Sequence, residues 1–349
     1  MAASKSRKVT IRDVADEAGV SAAAVSKVLN DGYGVSPEMR EKVTTAAQLL
    51  GYRPLLAARM MRGRSYTVGV MLADVASPFA PTIVGGIQED LEGTQLQILL
   101  GPGGASPERQ QRSIEAMVDR QMDGLILIAP NVPQQFLEDL AQSVPTVVIA
   151  RHGRGRNYDS VVDDDTAGAA LMVEHLVSLG HRRITHISHP IGKLRRPSVL
   201  SHTAREDGYT QAMHNHGLNP DVVVGSYTDQ GGFDAAMTAL QRPERPTAIF
   251  AGADAAALGV LRAADELGLR MPQDLTVTGY DNAPVAAVPQ ISLTTVDHAG
   301  KLVGSTSSRL LRERLDGREK AVMFSITPEL IVRKSSAPPA TPVAPAPLA

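Results

Sequence analysis

The chain has 349 residues, 43% of them hydrophobic and 21% charged, a net charge of −2 and no cysteine. That length accommodates a small head and a two-lobed body, and the absence of cysteine excludes disulfides, thiolate metal sites and a cysteine nucleophile. The modest net charge hides an asymmetry: residues 1–64 hold eleven Lys and Arg against six Asp and Glu, a net +5, whereas the remainder carries −7. A basic end on an acidic remainder confines phosphate binding to that end.

Residues 1–8, MAASKSRK, are polar and basic with no apolar segment behind them, so they do not read as a secretory signal. The first predicted helix starts after Thr10, which caps it with Asp13 as the acidic partner of a capping-box variant. Ile11, Val14, Ala15 and Ala18 then fall on one face, and Gly19 closes the helix. Ser21 caps a second helix with Val25, Val28 and Leu29 as its inner stripe; Ala22, Ala23, Ser26, Lys27 and Asn30 are expected to face outward. A third helix begins at Ser36-Pro37-Glu38, with proline at the first helical position, and ends before Gly51. This is a helix-turn-helix pattern, in which the second helix lies in the major groove of DNA. The same pattern suits a small helical cap or dimerisation domain, and the basic charge favours DNA.

From Tyr66 onward short apolar strands alternate with helices. Residues 68–72, 96–100, 124–129 and 146–150 form one series of strand candidates, and 183–188, 222–227, 247–252 and 274–280 a second. Continuous apolar runs between helices predict parallel sheets covered on both faces, and two series predict two Rossmann-like lobes. Ligands of such sheets bind beyond the carboxyl ends of strands. That rule selects the segment Asp74–Phe79, Tyr227 and Asp281-Asn282. No run approaches the roughly 20 apolar residues of a membrane span. The tail 335–349, SSAPPATPVAPAPLA, is too rich in proline for a helix or central strand and is read as disordered.

Nine histidines are present, but no HExxH pairing, so no metal site is expected. GPGG at 101–104 lacks the Gly-Lys-Ser/Thr of a phosphate loop, and no GxSxG elbow occurs. Neither a cofactor nor a catalytic constellation is expected.

The stretches VTIRDVADEAGVSAAAVSKVLN, VSPEMREKV and LGYRP resemble the DNA-binding head of the LacI/GalR (lactose-repressor) family. The likeness continues to about Arg333 through VEHLVSLGHRRI, REDGYTQAM, ADELGLRMPQDLTVTGYDN and SLTTV, in order. It implies a helix-turn-helix head at 1–54, a hinge helix at 55–64 and a periplasmic-binding-protein-like body at 65–334. Lobe 1 would comprise about 65–161 and 294–323, and lobe 2 about 163–292 and 324–334. The chain would cross between them near Val161–Asp163, near Ser292–Thr294 and near Phe324.

The resemblance places base reading at Ala22, Ala23 and Lys27. Alanine methyls can pack on thymine methyls, and Lys27 can donate to guanine. Ser26 and Asn30 would touch phosphate or hold the head together, and Thr10 and Ser21 complete the DNA face. In the hinge, Arg59 contacts DNA and Met61 takes the place of the leucine wedged into the minor groove; an ordinary linker is the plainer alternative.

In the cleft, the family pattern assigns ligand stacking to Phe79, a ligand-gripping role to Arg205, an acidic contact to Asp281, an aromatic wall to Tyr227 and a polar contact to Ser201. An interlobe salt bridge is the alternative for Arg205, and a turn or cap for Asp281. Asp254 lies where the family often has Asn-Asp, with Ala253 replacing the asparagine; it could equally cap the next helix. The implied protein is no enzyme but a cytoplasmic, nucleoid-associated homodimeric regulator. It would most simply repress at a pseudo-palindromic operator and answer to a sugar or sugar derivative. A nucleobase or other metabolite acting as corepressor is the alternative. A solute-binding protein is disfavoured by the basic head. Because the tail has no leucine heptad, a dimer is expected.

Overall fold

Thr10 opens helix α1 (Ile11–Ala18) with the expected capping box: its hydroxyl accepts from the Asp13 amide, and the Asp13 carboxylate accepts the Thr10 backbone N–H at 2.7 Å. Gly19 ends it at φ 65°, a left-handed conformation that glycine adopts without steric penalty. Ser21 caps α2 (Ala22–Val28) by accepting from the Ala24 amide at 3.1 Å, and Ser36 caps α3 (Pro37–Leu49) in the same way. The three helices enclose Val14, Ala15, Val25, Val28, Val43, Ala46 and Ala47. Ala22, expected to face outward, is instead half-buried against this cluster, because the helix is short and its first turn rests on the core. Ala23 and Lys27 are exposed.

The computed structural model describes residues 9–29, 33–52, 64–104, 106–190 and 200–340. Asn30, Arg59, Met61 and the remainder of the hinge 55–63 lie outside the described residues. The chain divides into two compact units, 1–65 and 66–349.

Within the second unit, strands β1 (Thr67–Leu72), β2 (Gln97–Pro102), β3 (Gly124–Ile128), β4 (Thr146–Ile149) and β5 (Asp159–Asp163) belong to the first lobe. Strands β6 (Ile184–Ser188), β7 (Asp221–Val224), β8 (Ala248–Ala251) and β9 (Thr276–Thr278) form the second-lobe sheet, in the order β7-β6-β8-β9 and parallel throughout. Three late strands follow: β10 (Thr295–Asp297), β11 (Met323–Ile326) and β12 (Glu329–Ile331). β11 returns to the first lobe and completes a six-stranded parallel sheet in the order β11-β5-β4-β3-β1-β2. Phe324 to Ile326 therefore sit in the first-lobe sheet rather than the second lobe. β10 pairs antiparallel with β12 in a small ribbon of its own.

The apolar run at 96–100 differs from the others. β2 is an edge strand and not a doubly covered one: Leu99 and Leu100 are 50% and 52% exposed. In the same lobe, helices Ala80–Leu91 and Gly300–Leu315 cross in backbone contact. A Cβ on Gly86 would collide with the Lys301 carbonyl oxygen, and one on Gly304 with that of Ile83.

The expected disorder from Ser335 onward is corrected at its beginning. Ser335 is buried; its hydroxyl accepts from the Thr294 amide at 2.8 Å and donates to the Val277 carbonyl at 2.6 Å. The Ala337 carbonyl lies 2.9 Å from His181 Nε2 and accepts from Thr276 Oγ1 at 3.0 Å. Proline bars this segment from a central strand, but it does not prevent pairing along the open side of β9. Residues 341–349 lie outside the described residues. Ending the chain at Lys334 should therefore strip partners from buried groups and cost about 2–3 kcal/mol, or roughly 4–10 °C in Tm. Ending it at Ala340 keeps those partners and serves as the control. Differential scanning calorimetry of the two truncations checks this.

Candidate effector cleft and DNA-reading helix

The carboxyl ends of the second-lobe strands gather polar side chains. Ser188 ends β6 and His189 follows it. Helix Ser201–Asn215 carries Ser201, His202 and Arg205. Tyr227 lies beyond β7, in the loop leading to helix Asp229–Leu240. His189 stands 5.0 Å from the His202 ring and 5.2 Å from the Tyr227 ring, edge-on to the latter. Four side-chain atoms here are shut off from solvent without a hydrogen-bond partner among the described residues: Ser188 Oγ, Ser201 Oγ, His202 Nε2 and Tyr227 OH. Tyr227 OH approaches so near to Gly252 that a Cβ there would strike it. Burial pushes the His202 imidazole down to about 4 and lowers that of His189, so both rings are neutral at pH 7.

Arg205 is buried and already engaged. Its Nη2 donates to Asp165 Oδ1 at 2.7 Å, its Nε to the same oxygen at 3.1 Å, and its Nη1 to the Gly252 carbonyl. The guanidinium lies 3.5 Å from the centre of the Tyr280 ring and 5.7 Å from that of Tyr227. The pair with Asp165 lies within the second lobe, so the interlobe salt bridge considered for Arg205 is not formed.

A second charged group lies where the lobes meet. His298 follows β10; Nδ1 is 3.5 Å from Asp163 Oδ1 and Nε2 is 3.3 Å from Asp281 Oδ1. Phe79, just before helix Ala80–Leu91, stacks on this imidazole with ring centres 4.3 Å apart. Tyr280 OH donates to Asp163 Oδ2 at 2.7 Å. Burial alone would lower the His298 pKa, but the Asp163 carboxylate and then Asp281 outweigh it and push it up to about 10. Asp163 is held well below the usual carboxylate range: burial acts upward, and the His298 charge overrides it.

Asp254 does not join this group at the cleft surface. It is wholly buried at the first turn of helix Asp254–Glu266. Its Oδ1 accepts from Thr295 Oγ1 at 2.6 Å and its Oδ2 from the Ala283 amide at 2.8 Å. Burial, then the neighbouring Asp281 charge, push its carboxyl up to about 8. The helix cap considered for Asp254 is not formed: the helix has no side-chain cap, and both carboxylate oxygens are held by Thr295 and Ala283 instead. A groove of about 490 Å³ opens beside Phe79 and Asp281 and continues along Lys301 and Ser305, but none of the four orphaned atoms lines it. Unpaired buried polar groups are costly, so they mark a ligand position more strongly than open space does.

Thus Phe79 and Asp281 meet through His298, while Ser201, Arg205 and Tyr227 gather around His202. Ser188, His189, His202 and His298 were not selected from the sequence. Applying the strand-end rule to β6 and β10, as to β1 and β9, would have found three of them. In the head, Ser21 and Thr10 serve as caps, which leaves Ala23 and Lys27 as the exposed side chains of α2.

A family model described as bacterial regulatory proteins, lacI family, matches residues 10–54, and one described as a periplasmic binding protein-like domain matches residues 173–336. Catabolite control protein A of Priestia megaterium is 34% identical over 88% of this chain and 93% of its own length. This chain belongs to the lacI family. The HTH-type transcriptional repressor PurR of Erwinia tasmaniensis is 32% identical over 94% of this chain and 97% of its own length. The solved lac repressor dimer bound to operator and the anti-inducer ONPF is 28% identical, with a TM-score of 0.78, covering 95% of this chain and 100% of that one. As a lacI-family member the chain is a helix-turn-helix, DNA-binding transcription regulator with a periplasmic-binding-protein-like body, and its relatives are regulators, not enzymes. No helix among the described residues is long and apolar enough to cross a membrane.

Proposed function

We propose that this lacI-family member is a homodimeric repressor, acting in the cytoplasm at the nucleoid. Its hold on a pseudo-palindromic operator depends on a sugar or sugar-derivative effector bound at the cleft of its body. The orphaned atoms of Ser188, Ser201, His202 and Tyr227 carry the effector reading. Hydroxyls and neutral imidazoles both donate and accept, which matches the hydroxyls of a sugar, and the rings of His189 and Tyr227 offer apolar faces. A planar base could instead stack on the face of either ring, and a repressor named PurR is among the relatives. A nucleobase corepressor is therefore the second reading. A thermal-shift screen of neutral sugars and nucleobases on the full chain separates the two. A ligand at 100 times its Kd adds about 2.7 kcal/mol, and the shift should vanish in Ser201→Ala/Tyr227→Phe. If no member of either class shifts Tm, the effector reading fails.

At the DNA, Lys27 is proposed as the base donor of α2, with Ala22 and Ala23 offering methyl contacts. On an operator selected from random duplexes, Lys27→Ala should lose about 1–3 kcal/mol and relax preference at one base pair. An equal loss on unselected DNA would reduce Lys27 to a phosphate contact.

The dimer is proposed to use the edge of β2, where Leu99 and Leu100 leave apolar surface on an open strand. Such edges invite pairing unless covered. The relevant likeness is to a solved repressor dimer. Leu99→Glu/Leu100→Glu should sediment as a folded monomer and bind a two-half-site operator about 100-fold more weakly. A dimeric double variant would move the interface elsewhere.

A further inference from the structure

Asp165, the first residue of the helix Asp165–Ser178, is wholly buried and held from two sides. One oxygen takes both Arg205 hydrogen bonds; the other lies 2.8 Å from His152 Nε2. Arg205 belongs to the second lobe. His152 belongs to the first, just after β4, and its neighbour Arg151 forms an isolated antiparallel bridge with Leu200, directly before helix Ser201–Asn215. One short stretch of the first lobe thus reaches the second lobe twice, once by backbone and once by side chain. The stretch is anchored on its own side, because the Arg151 guanidinium donates to the Pro130 and Val132 carbonyls at 2.9 and 2.7 Å.

We propose that His152 is the latch of the closed cleft, and that Asp165 is the positioning residue that joins this latch to Arg205. The coupling to Arg205 rests on the cleft being the effector site; the latch itself does not. A carboxylate shared between a ligand-lobe arginine and a first-lobe histidine has two arrangements. In the closed form both partners hold it, and in an open form only Arg205 does. A ligand that draws on Arg205 therefore changes what Asp165 offers His152, and lobe closure changes what it offers Arg205. Such reciprocity is required of any equilibrium coupling between two sites.

The groups around His152 set its sign with pH. Asp165 faces it from the helix it opens, Asp163 from the end of β5 and Asp164 from the cap of that same helix, while the Arg205 cation shares Asp165 from helix Ser201–Asn215. Burial alone would lower the imidazole pKa, but the Asp165 hydrogen bond and the aspartate charges outweigh it and raise it above its ordinary 6.5. The latch is therefore charged and present at lower pH, and it is lost as pH rises through that raised value.

The chain has no cysteine, so a dye pair can be placed on Gln135→Cys in the first lobe and Asn219→Cys in the second, both exposed. Single-molecule energy transfer on the full chain, with no small molecule added, reads the closed fraction. It should fall progressively as pH rises from about 6 to about 9. His152→Ala should show little closed fraction at either pH. His152→Lys, whose ammonium stays charged across that range, should stay closed at both. A merely structural histidine would give no such difference between alanine and lysine. The proposal is overturned if His152→Ala keeps the wild-type closed fraction, if the wild type does not respond to pH, or if His152→Lys follows the wild-type pH profile. Should the alanine variant fail to fold, the lysine profile still decides. Because no effector enters this measurement, it can fail while the thermal-shift screen succeeds, and the reverse.

Discussion

Replacing Arg205 by alanine should cost the body about 3–5 kcal/mol of stability, because it takes the arginine from a buried Asp165 carboxylate and leaves His152 as its one remaining ion-pair partner among the described residues. Arg205 supplies two hydrogen bonds to that carboxylate, one to the Gly252 carbonyl and a cation–π contact with Tyr280. Most of the loss arises from the stranded charge rather than from the missing contacts. The double variant Arg205→Met/Asp165→Leu should therefore be markedly more stable than Arg205→Ala. Urea unfolding of the full chain measures both. A single variant within about 1 kcal/mol of wild type would mean that His152 or water compensates the Asp165 charge. Arg205 and Asp281 are proposed as effector contacts, so Arg205→Ala and Asp281→Ala should also lose the effector response. Operator binding, measured well below the unfolding transition, should persist because neither residue lies in the head.

Raising the pH from 7 to above 10 should destabilise the body, and His298 should account for much of the loss. Its folded pKa is about 10 against an ordinary 6.5. The stability it contributes is complete below 6.5 and disappears as pH rises through about 10. His298 and Asp163 record one ion pair, so the effect is counted once, at about 3–5 kcal/mol for a buried pair broken on one side. His298→Gln should lose that amount already at pH 7 and flatten the decline between pH 7 and 10. The difference between wild type and variant, taken by urea unfolding at each pH, removes the contribution of other groups titrating there. A variant with the wild-type slope would show that His298 is not charged in the folded protein.

The head was legible in the sequence almost to the residue. Thr10, Asp13, Gly19, Ser21 and Pro37 each act on a neighbour within one helical turn, so their meaning is local. The parallel sheets were legible because apolar runs between helices have few other uses. The error at β2 has the same source: apolar character tells that a strand wants covering, and it does not tell whether the cover is this chain or another. The tail was misjudged at Ser335 because composition predicts what proline forbids, and hydrogen bonds to Val277 and Thr294 are not a compositional property.

By itself, then, the sequence determined the helix-turn-helix, the alternating body, the family and the ends of strands at which a ligand would be sought. It supplied Phe79, Arg205, Tyr227 and Asp281 as candidates, but not their partners. Asp163 meets Tyr280 across 117 residues, and Arg205 meets Asp165 across 40. Only the tertiary structure decided that Arg205 is neutralised, that His298 is a buried cation, that Asp254 is tied to Thr295 and Ala283, and that His202 and Tyr227 hold atoms unpaired among the described residues. The physical reason is range. Caps and periodicity act within a few residues, whereas the charge state and pairing of a buried group depend on whatever the two lobes bring within a few ångströms of it.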